Sequence, residues 1–509
     1  MPRDRLTAAA LCAAIAATLM ATGAFGASCD MLEGLDLEQV EITLSEAVAA
    51  GAFRLSTAPA PAATEATNRA FERLPAFCRV AATARPSRDS EIKLEVWMPT
   101  DGWNGKLQSV GNGGWAGSIR YAALADALAN GYATTSTDTG HEGSNADFVP
   151  GHPEKLIDFA SRAVHVMTVA AKAIIAAHYE TAPSQSYFVG CSTGGRQALS
   201  EAQRYPDDYD GIIAGAAANY PTNLQGAQVW TARVGYRQAD ATLQAGQLPA
   251  LNAAVLKACD TLDGVEDGVI ENPSACHFDP TELICSTDNG GSCLSDAQAE
   301  TVRRIYAGPT TSAGQSLFPG LARGSELGWD VGPEPMSLAV DTYRILVFNN
   351  PDWDYRNFDA EKDIATAHDR IGAIMNSTDT DLRPFFSRGG KLLLYHGWND
   401  PGISPFNTVA YYQGVRETVG AEQSDASMRL FMVPGMNHCR GGVGTDSFDA
   451  VAALDSWVVS DQAPDQLPAA RERDGRVDKT RPLCPYPQVA VYSGNGSTND
   501  AANFSCALR

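Results

Sequence analysis

Positive charge is scarce in this chain. Thirty-eight lysines and arginines stand against 60 aspartates and glutamates in 509 residues, a formal net charge of −22. No basic cluster forms anywhere, so nucleic acid, whose phosphates need a patch or stripe of cations, is excluded as a partner. The acidity itself reads as a solvated surface, with part of it free to serve a divalent cation. Long apolar runs are lacking too. Beyond the N-terminus no segment holds the roughly 18 uninterrupted apolar residues of a membrane-spanning helix. Repeats and heptads are absent, which excludes solenoids and coiled coils. Histidine is rare, eight in all.

The N-terminus is the apolar exception. Arg3 and Arg5 precede an Ala/Leu-rich run from Leu6 to about Ala21, and Ala24-Phe25-Gly26 offers a small-x-small cleavage site. Residues 1–26 therefore read as a secretory signal peptide, with the mature chain starting near Ala27. Gly26-Ala27-Ser28-Cys29 faintly resembles a lipoprotein site but lacks the usual leucine. The expected location is periplasmic or secreted, where disulfides persist.

Of 11 cysteines, Cys12 falls in the leader. Ten remain, an even number that suggests five disulfides in an exported chain. Count alone does not give connectivity. Short spacings favour Cys259 with Cys276 and Cys285 with Cys293. Cys484 with Cys506 would close the C-terminal tail, and Cys29 with Cys78 the N-terminal region. Cys191 and Cys439 are left over. If they pair, their Cα atoms lie within about 7 Å of each other.

Cys191 belongs to Gly190-Cys191-Ser192-Thr193-Gly194, a G-x-S-x-G pentapeptide. The β-prone Ser186-Tyr187-Phe188-Val189 precedes it and a helix-like run follows from Gly195 to Ala202. Strand, tight turn and helix make a nucleophile elbow, which presents the serine hydroxyl at the strand's C-terminal end. A serine needs a base and a group to orient that base. In this fold they follow in the order Ser, acid, His. The later histidines are His277, His368, His396 and His438. Two apolar runs resemble late strands, Lys391 to Tyr395 and Met428 to Val433. Asp400 lies just beyond the first and His438 just beyond the second, where open α/β sheets carry their functional groups. His396 competes as base, but it sits closer to its strand and reads as structural. Asp446 and Asp449 follow His438 and break the order. Ser192 is thus the candidate nucleophile, His438 the base and Asp400 the orienting acid.

The Gly-rich segment Gly111 to Gly117 follows the strand-like Leu107 to Val110. Gly111-x-Gly113-x-x-Ala116 fits a dinucleotide fingerprint loosely, with no clear acidic partner on the next strand. The preferred reading is a loop whose backbone N–H stabilises an oxyanion. Gly114 is the candidate donor there, and Thr193 supplies the second.

Asp260 to Val269 concentrates oxygen ligands and turn glycines in Asp-Thr-Leu-Asp-Gly-Val-Glu-Asp-Gly-Val. Calcium takes six to eight such oxygens. The loop is not an EF-hand, because Leu262 and Gly264 stand where that loop wants Asp or Asn.

The Cys-Ser and His-Cys pairs, with Asp400 upstream of the histidine, resemble the tannase and feruloyl esterase family. That family also includes mono(2-hydroxyethyl) terephthalate hydrolase. The resemblance runs through Gly111-Asn112-Gly113-Gly114-Trp115-Ala116-Gly117, Ser136 to His141, the elbow, and Asp260 to Gly268. It continues to Arg481-Pro482-Leu483-Cys484-Pro485-Tyr486-Pro487 and Asn499 to Phe504. It implies a triad of Ser192, Asp400 and His438, a calcium ion and esters of aromatic acids as substrates. It assigns calcium ligation to the side chains of Asp260, Asp263 and Asp267 and the carbonyls of Val265 and Val269. The ion would lie in the lid and so be structural rather than catalytic.

The expected fold is an α/β-hydrolase sheet with a large inserted lid. Strands are predicted over Ile92–Met98, Leu107–Val110, Tyr132–Ser136 and Ile212–Ala216, and a helix over Leu156–Tyr179. Sheet-like signals then stop until Lys391. Residues 27–218 and 387–509 form the predicted catalytic domain, and 219–386 the lid with the calcium site. Trp329, Tyr343, Phe348, Trp353, Tyr355 and Phe358 cluster in the lid, where core packing explains most aromatics. Arg323 or Arg344 could hold the free carboxylate of a terephthalate half-ester. The expected function is a secreted serine carboxylic-ester hydrolase acting on small aromatic esters, feruloyl esters first. Galloyl esters and terephthalate half-esters are the alternatives. A calcium-dependent binding protein on a dead hydrolase scaffold is the alternative of another class, opposed by the intact Ser192, Asp400 and His438. Oligomeric state has no signal in the sequence.

Overall fold

A computed structural model describes residues 28–55, 68–236, 239–285, 293–332 and 334–509. The predicted signal peptide lies outside the described residues. The core is a nine-stranded sheet. Its strands are β1 (Val40–Val48), β2 (Phe77–Ala84), β3 (Ile92–Pro99), β4 (Lys106–Val110), β5 (Ala133–Thr137), β6 (Gln185–Cys191), β7 (Gly211–Gly215), β8 (Lys391–Gly397) and β9 (Met428–Val433). They lie in the order β1-β2-β3-β5-β4-β6-β7-β8-β9. From β5 to β9 every neighbouring pair is parallel, while β1, β2, β3 and β5 pair antiparallel. The parallel strands are short apolar runs because helices cover both faces of the sheet. Leu392, Leu393 and Leu394 of β8 are all fully buried. This is the α/β-hydrolase sheet expected from the sequence.

The N-terminal segment had no predicted strands, yet it supplies β1 and β2. The signal was available: Val40, Ile42 and Leu44 alternate with Glu41, Thr43 and Ser45, the period of a strand with one wet face.

The helix Pro153–Tyr179 is long and apolar enough to cross a membrane by length and composition, with mean hydropathy 1.3. That qualifies the expectation of no membrane span. In this fold 61% of its most apolar window is buried. Met167, Ala170, Ala171, Ile174 and Ile175 pack into the sheet's main core. A π-turn interrupts it at Asp158–Arg162, and such a turn leaves carbonyls misaligned with the α-helical ladder. The buried Arg196 donates to two carbonyls there, Phe159 O at 3.2 Å and Ala160 O at 2.7 Å.

Between β7 and β8 the described residues form helices and no strand. The main helices are Pro221–Gly235, Leu248–Cys259 and Asp296–Ala307. Leu251, Val255, Val302, Ile305 and Trp329 make one small core. Tyr343, Phe358, Phe348, Trp353 and Tyr355 make another, continuous with Trp115 and Phe159. The named aromatics are thus mostly core. The C-terminal region adds a three-stranded sheet (Ser447–Phe448, Leu467–Arg473, Arg476–Leu483) and a two-stranded one (Val489–Tyr492, Phe504–Ala507).

All ten cysteines among the described residues are paired: Cys29–Cys78, Cys191–Cys439, Cys259–Cys276, Cys285–Cys293 and Cys484–Cys506. These are the pairs the spacings favoured, together with the remaining pair.

Candidate active site

Ser192 stands between β6 and the helix Thr193–Arg204. Its backbone is at φ 65° and ψ −122°, a region that costs a side-chain-bearing residue about 1–3 kcal/mol. The flanking glycines make that turn possible. A Cβ on Gly190 would come within 2.3 Å of Gly194 O, and one on Gly194 within 2.9 Å of Asn112 O. The elbow is therefore packed backbone to backbone, both on itself and against the Gly-rich loop.

That loop is tied to the elbow by side chains as well. Thr193 Oγ1 donates to Gly114 O at 3.0 Å. Gln197 accepts from the Asn112 amide at 2.9 Å and donates to Asn112 Oδ1 at 3.1 Å. Asn112 Nδ2 donates to Thr137 O at 2.8 Å, and His141 Nε2 meets Trp115 O at 2.7 Å. The Ser136–His141 motif thus fixes the loop from behind. The next helix begins only at Tyr121, so the glycines do not open a helix N-terminus as a dinucleotide fingerprint requires.

Asp400 follows β8 and is fully buried. Four donors converge on it. Gly402 and Ile403 amides donate to Oδ1 at 2.8 and 2.9 Å. His438 Nδ1 reaches Oδ2 at 2.6 Å, and His396 Nε2 reaches the same oxygen at 3.0 Å. Burial alone would raise this carboxyl, but hydrogen bonds from the two imidazoles outweigh it and hold the group well below the ordinary carboxylate range. His438 feels the reverse balance. Burial lowers it, yet the bond and charge of Asp400 win and raise it above 6.5. With Nδ1–H committed to Asp400, Nε2 is the nitrogen left for a substrate-side proton.

Both ring nitrogens of His396 already have partners inside the protein. It is buried on β8, with Nδ1 on Thr408 Oγ1 at 2.7 Å, and its link to Asp400 was not anticipated from sequence. An i, i+4 spacing of His and Asp across a strand end is the only local hint. Asp446 accepts from the Gly441 amide and Asp449 caps the helix Ala450–Ser460, so neither serves His438. The Cys191–Cys439 bond, with Cα atoms 6.1 Å apart, joins the residue before Ser192 to the residue after His438.

Ser192, Thr193 and His438 open onto a cleft of about 310 Å³. Leu224, Gln225, Gln228 and Leu338 from the segment between β7 and β8 form its other wall. A neighbouring cavity of about 70 Å³ shares Leu224, Gln228, Asp330 and Pro401 with it and is lined also by Trp329. Among the described residues no lysine or arginine lines either cavity, and Asp330 lines both. The two arginines considered for a substrate carboxylate are engaged elsewhere. Arg323 lies over the Tyr306 ring and donates to Phe278 O, and Arg344 pairs with Asp341 at 2.7 Å.

The acidic loop lies away from this cleft. Asp260 accepts from the Gly268 amide at 2.9 Å and Asp263 from the Val265 amide at 2.9 Å. Both carboxyls are raised, first by burial, and each feels the charge of Asp267. Mutual repulsion among three carboxylates is the donor chemistry a hard cation relieves, so the residues fit calcium in kind. Asp267 is already divided: its Oδ2 takes Lys479 Nζ at 2.9 Å and Arg481 at 2.5 Å. Among the described residues no three acidic, His or Cys side chains stand in a ready metal-holding group.

A model of the tannase and feruloyl esterase family matches residues 78–507. An uncharacterised esterase of Xanthomonas campestris pv. campestris is 36% identical, over 96% of this chain and 92% of that protein. A probable feruloyl esterase B-2 of Aspergillus terreus is 34% identical, over 97% of both chains. Among solved structures, feruloyl esterase B from Aspergillus oryzae superposes with a TM-score of 0.87 at 32% identity, over 95% of this chain and 100% of that one.

Proposed function

The chain belongs to the tannase and feruloyl esterase family and is a carboxylic ester hydrolase; from that premise we propose that it cleaves esters of aromatic acids, feruloyl esters first, through an acyl-enzyme on Ser192. The observation that carries the mechanism is the 2.6 Å bond between Asp400 and His438 at a cleft shared with Ser192. His438 Nε2 takes the Ser192 proton as Oγ attacks the ester carbonyl. Asp400 holds the imidazole tautomer and stabilises its charged form. The Thr193 and Gly114 amides donate to the tetrahedral oxygen, worth about 3–4 kcal/mol for a donor of this kind. The alcohol leaves with the proton from His438. Water then attacks the acyl-enzyme by the same route and releases the acid.

Relatives named for feruloyl esterase B support the hydroxycinnamoyl preference. The cleft's charge supports a neutral ester. A terephthalate half-ester would bring an anion to walls that hold Asp330 and, among the described residues, no lysine or arginine. Five disulfides support a periplasmic or secreted enzyme, with the segment between β7 and β8 as its lid. Calcium, held by Asp260, Asp263, Asp267 and the carbonyls of Val265 and Val269, would supply structural charge balance to that loop. A chelator should then lower the melting temperature and added calcium restore it; an unchanged melting curve, with no metal by elemental analysis, removes the ion from the account.

The functional test is turnover of methyl ferulate, methyl gallate and a terephthalate half-ester by the wild type and by Ser192→Ala. Methyl ferulate should be fastest and the half-ester slowest. Ser192→Ala should lose on the order of 10⁴-fold or more in kcat. Near-native turnover in pure Ser192→Ala protein overturns the mechanism, and a preference for the half-ester overturns the substrate reading.

A further inference from the structure

One carboxylate oxygen in this site serves two imidazoles. Oδ2 of Asp400 lies 2.6 Å from His438 Nδ1 and 3.0 Å from His396 Nε2. His396 is fully buried, so water cannot stand in for its partners. Its Nε2 faces two acceptors, Asp400 Oδ2 and Ile403 O at 3.2 Å, and therefore carries the hydrogen. Its Nδ1 faces Thr408 Oγ1 at 2.7 Å, whose hydroxyl can donate to the bare nitrogen. Every polar atom of the ring is spoken for in one tautomer. The ionisable groups that face Asp400 are these two histidines. The helix Pro405–Val419 contributes the uncharged Thr408, and the loop between β8 and that helix contributes amides.

The consequence follows from how a hydrogen bond divides charge. A donor on Oδ2 withdraws electron density that His438 would otherwise receive whole. It weakens the carboxylate's pull on the His438 proton and lets His438 act as a base at lower pH. It also fills the oxygen's second lone pair, so the carboxylate cannot rotate away from His438. We propose that His396 is a positioning residue of the ester hydrolysis, pinning Asp400 Oδ2 and setting the pH at which His438 becomes a base. The inference rests on the assignment of His438 as base to Ser192.

The test is the pH profile of kcat/KM on methyl ferulate, with melting temperature measured in parallel. His396→Leu removes both ring nitrogens. Its acidic limb should move upward by about half a pH unit, with kcat down roughly tenfold and KM changed less. His396→Gln can still offer an N–H to Oδ2 and an oxygen to Thr408, and should return the limb most of the way. Thr408→Val keeps the imidazole but releases its far side, and should move the limb in the same direction by less. If His396→Leu does not fold, Thr408→Val and His396→Gln decide. A merely structural histidine would lower the melting temperature and leave the limb in place. An unmoved acidic limb in every folded variant overturns the proposal. Retained turnover in Ser192→Ala would instead show that the underlying base assignment had failed.

Discussion

Asp400, on the loop after β8, and Glu201, on the last turns of the elbow helix, are equally cut off from water, both at 0% exposure. Their charge states differ because their donors differ. Asp400 accepts two amides and two imidazoles and is held well below the ordinary carboxylate range. Glu201 accepts from no amide or imidazole, and burial, with the like charge and side-chain hydrogen bond of Asp208, raises it well above 4.5. Asp138 falls between them. It accepts two backbone amides, from Lys93 and Gly140, and burial pushes it up to about 7. Desolvation therefore sets only the starting point. The number and charge of the donors decide whether a buried carboxyl in this protein favours the anion or the neutral acid.

The two sites leave opposite marks on stability. Asp400 has a folded value below its unfolded one, so its contribution is present above about 3.8 and is lost as pH falls below that value. Glu201 has a folded value above its unfolded one. Its contribution is present below about 4.5 and is lost as pH rises from there.

The comparison breaks most visibly at Asp400. Asp400→Asn puts an amide N–H₂ among four donors and disfavours the His438 tautomer that leaves Nε2 bare. Turnover should fall on the order of 10⁴-fold, while circular dichroism reports a retained fold. A loss under tenfold would mean that the buried charge is not what orients His438. The next effect is at the Cys191–Cys439 bond. Replacing both cysteines by alanine should cost up to about 5 kcal/mol of stability in the entropic account. It should cut turnover by as much as about a hundredfold if the elbow and His438 drift by about 1 Å, with weaker loss of binding to an unreactive analogue. A plain staple would lower stability and leave turnover unchanged well below the melting point. The smallest effect is at Glu201. Glu201→Gln keeps the shape and removes the titration, so turnover should stay within about twofold. The variant's stability relative to wild type should climb as pH rises above about 4.5. A flat difference across pH would place Glu201 in the ionised class with Asp400.

Much of this was legible in the sequence, for reasons that also mark the limits. The parallel strands announce themselves as apolar runs, and the elbow as Gly190 to Gly194, because each obeys a local rule. Spacing and position favoured four cysteine pairs and left Cys191 and Cys439 as the remainder. The four donors on Asp400 were less visible. Two are backbone amides that any residue supplies, and His396 resembles an ordinary buried histidine until Asp400 is folded back onto it. The acidic loop shows the same limit. Asp267 meets Lys479 and Arg481, 212 and 214 positions away, and no local pattern announces such partners. β1 differs: its alternation is plain, but it is an edge strand with a polar outer face, a pattern that a surface loop shares.

The bond between Cys191 and Cys439 also sets a schedule. The other four pairs span 8 to 49 positions, whereas this one spans 248. A chain emerging from its N-terminus at roughly 5–20 residues per second exposes Cys191 for on the order of ten seconds or more before its partner exists. For most of that wait Cys259 and Cys276 are nearer candidates for a wrong bond. Closure of this disulfide thus joins the elbow to the His438 loop, and with it the two ends of the proposed triad. In oxidative refolding, activity should return with this bond and not with the other four, as a quench-and-map time course would record.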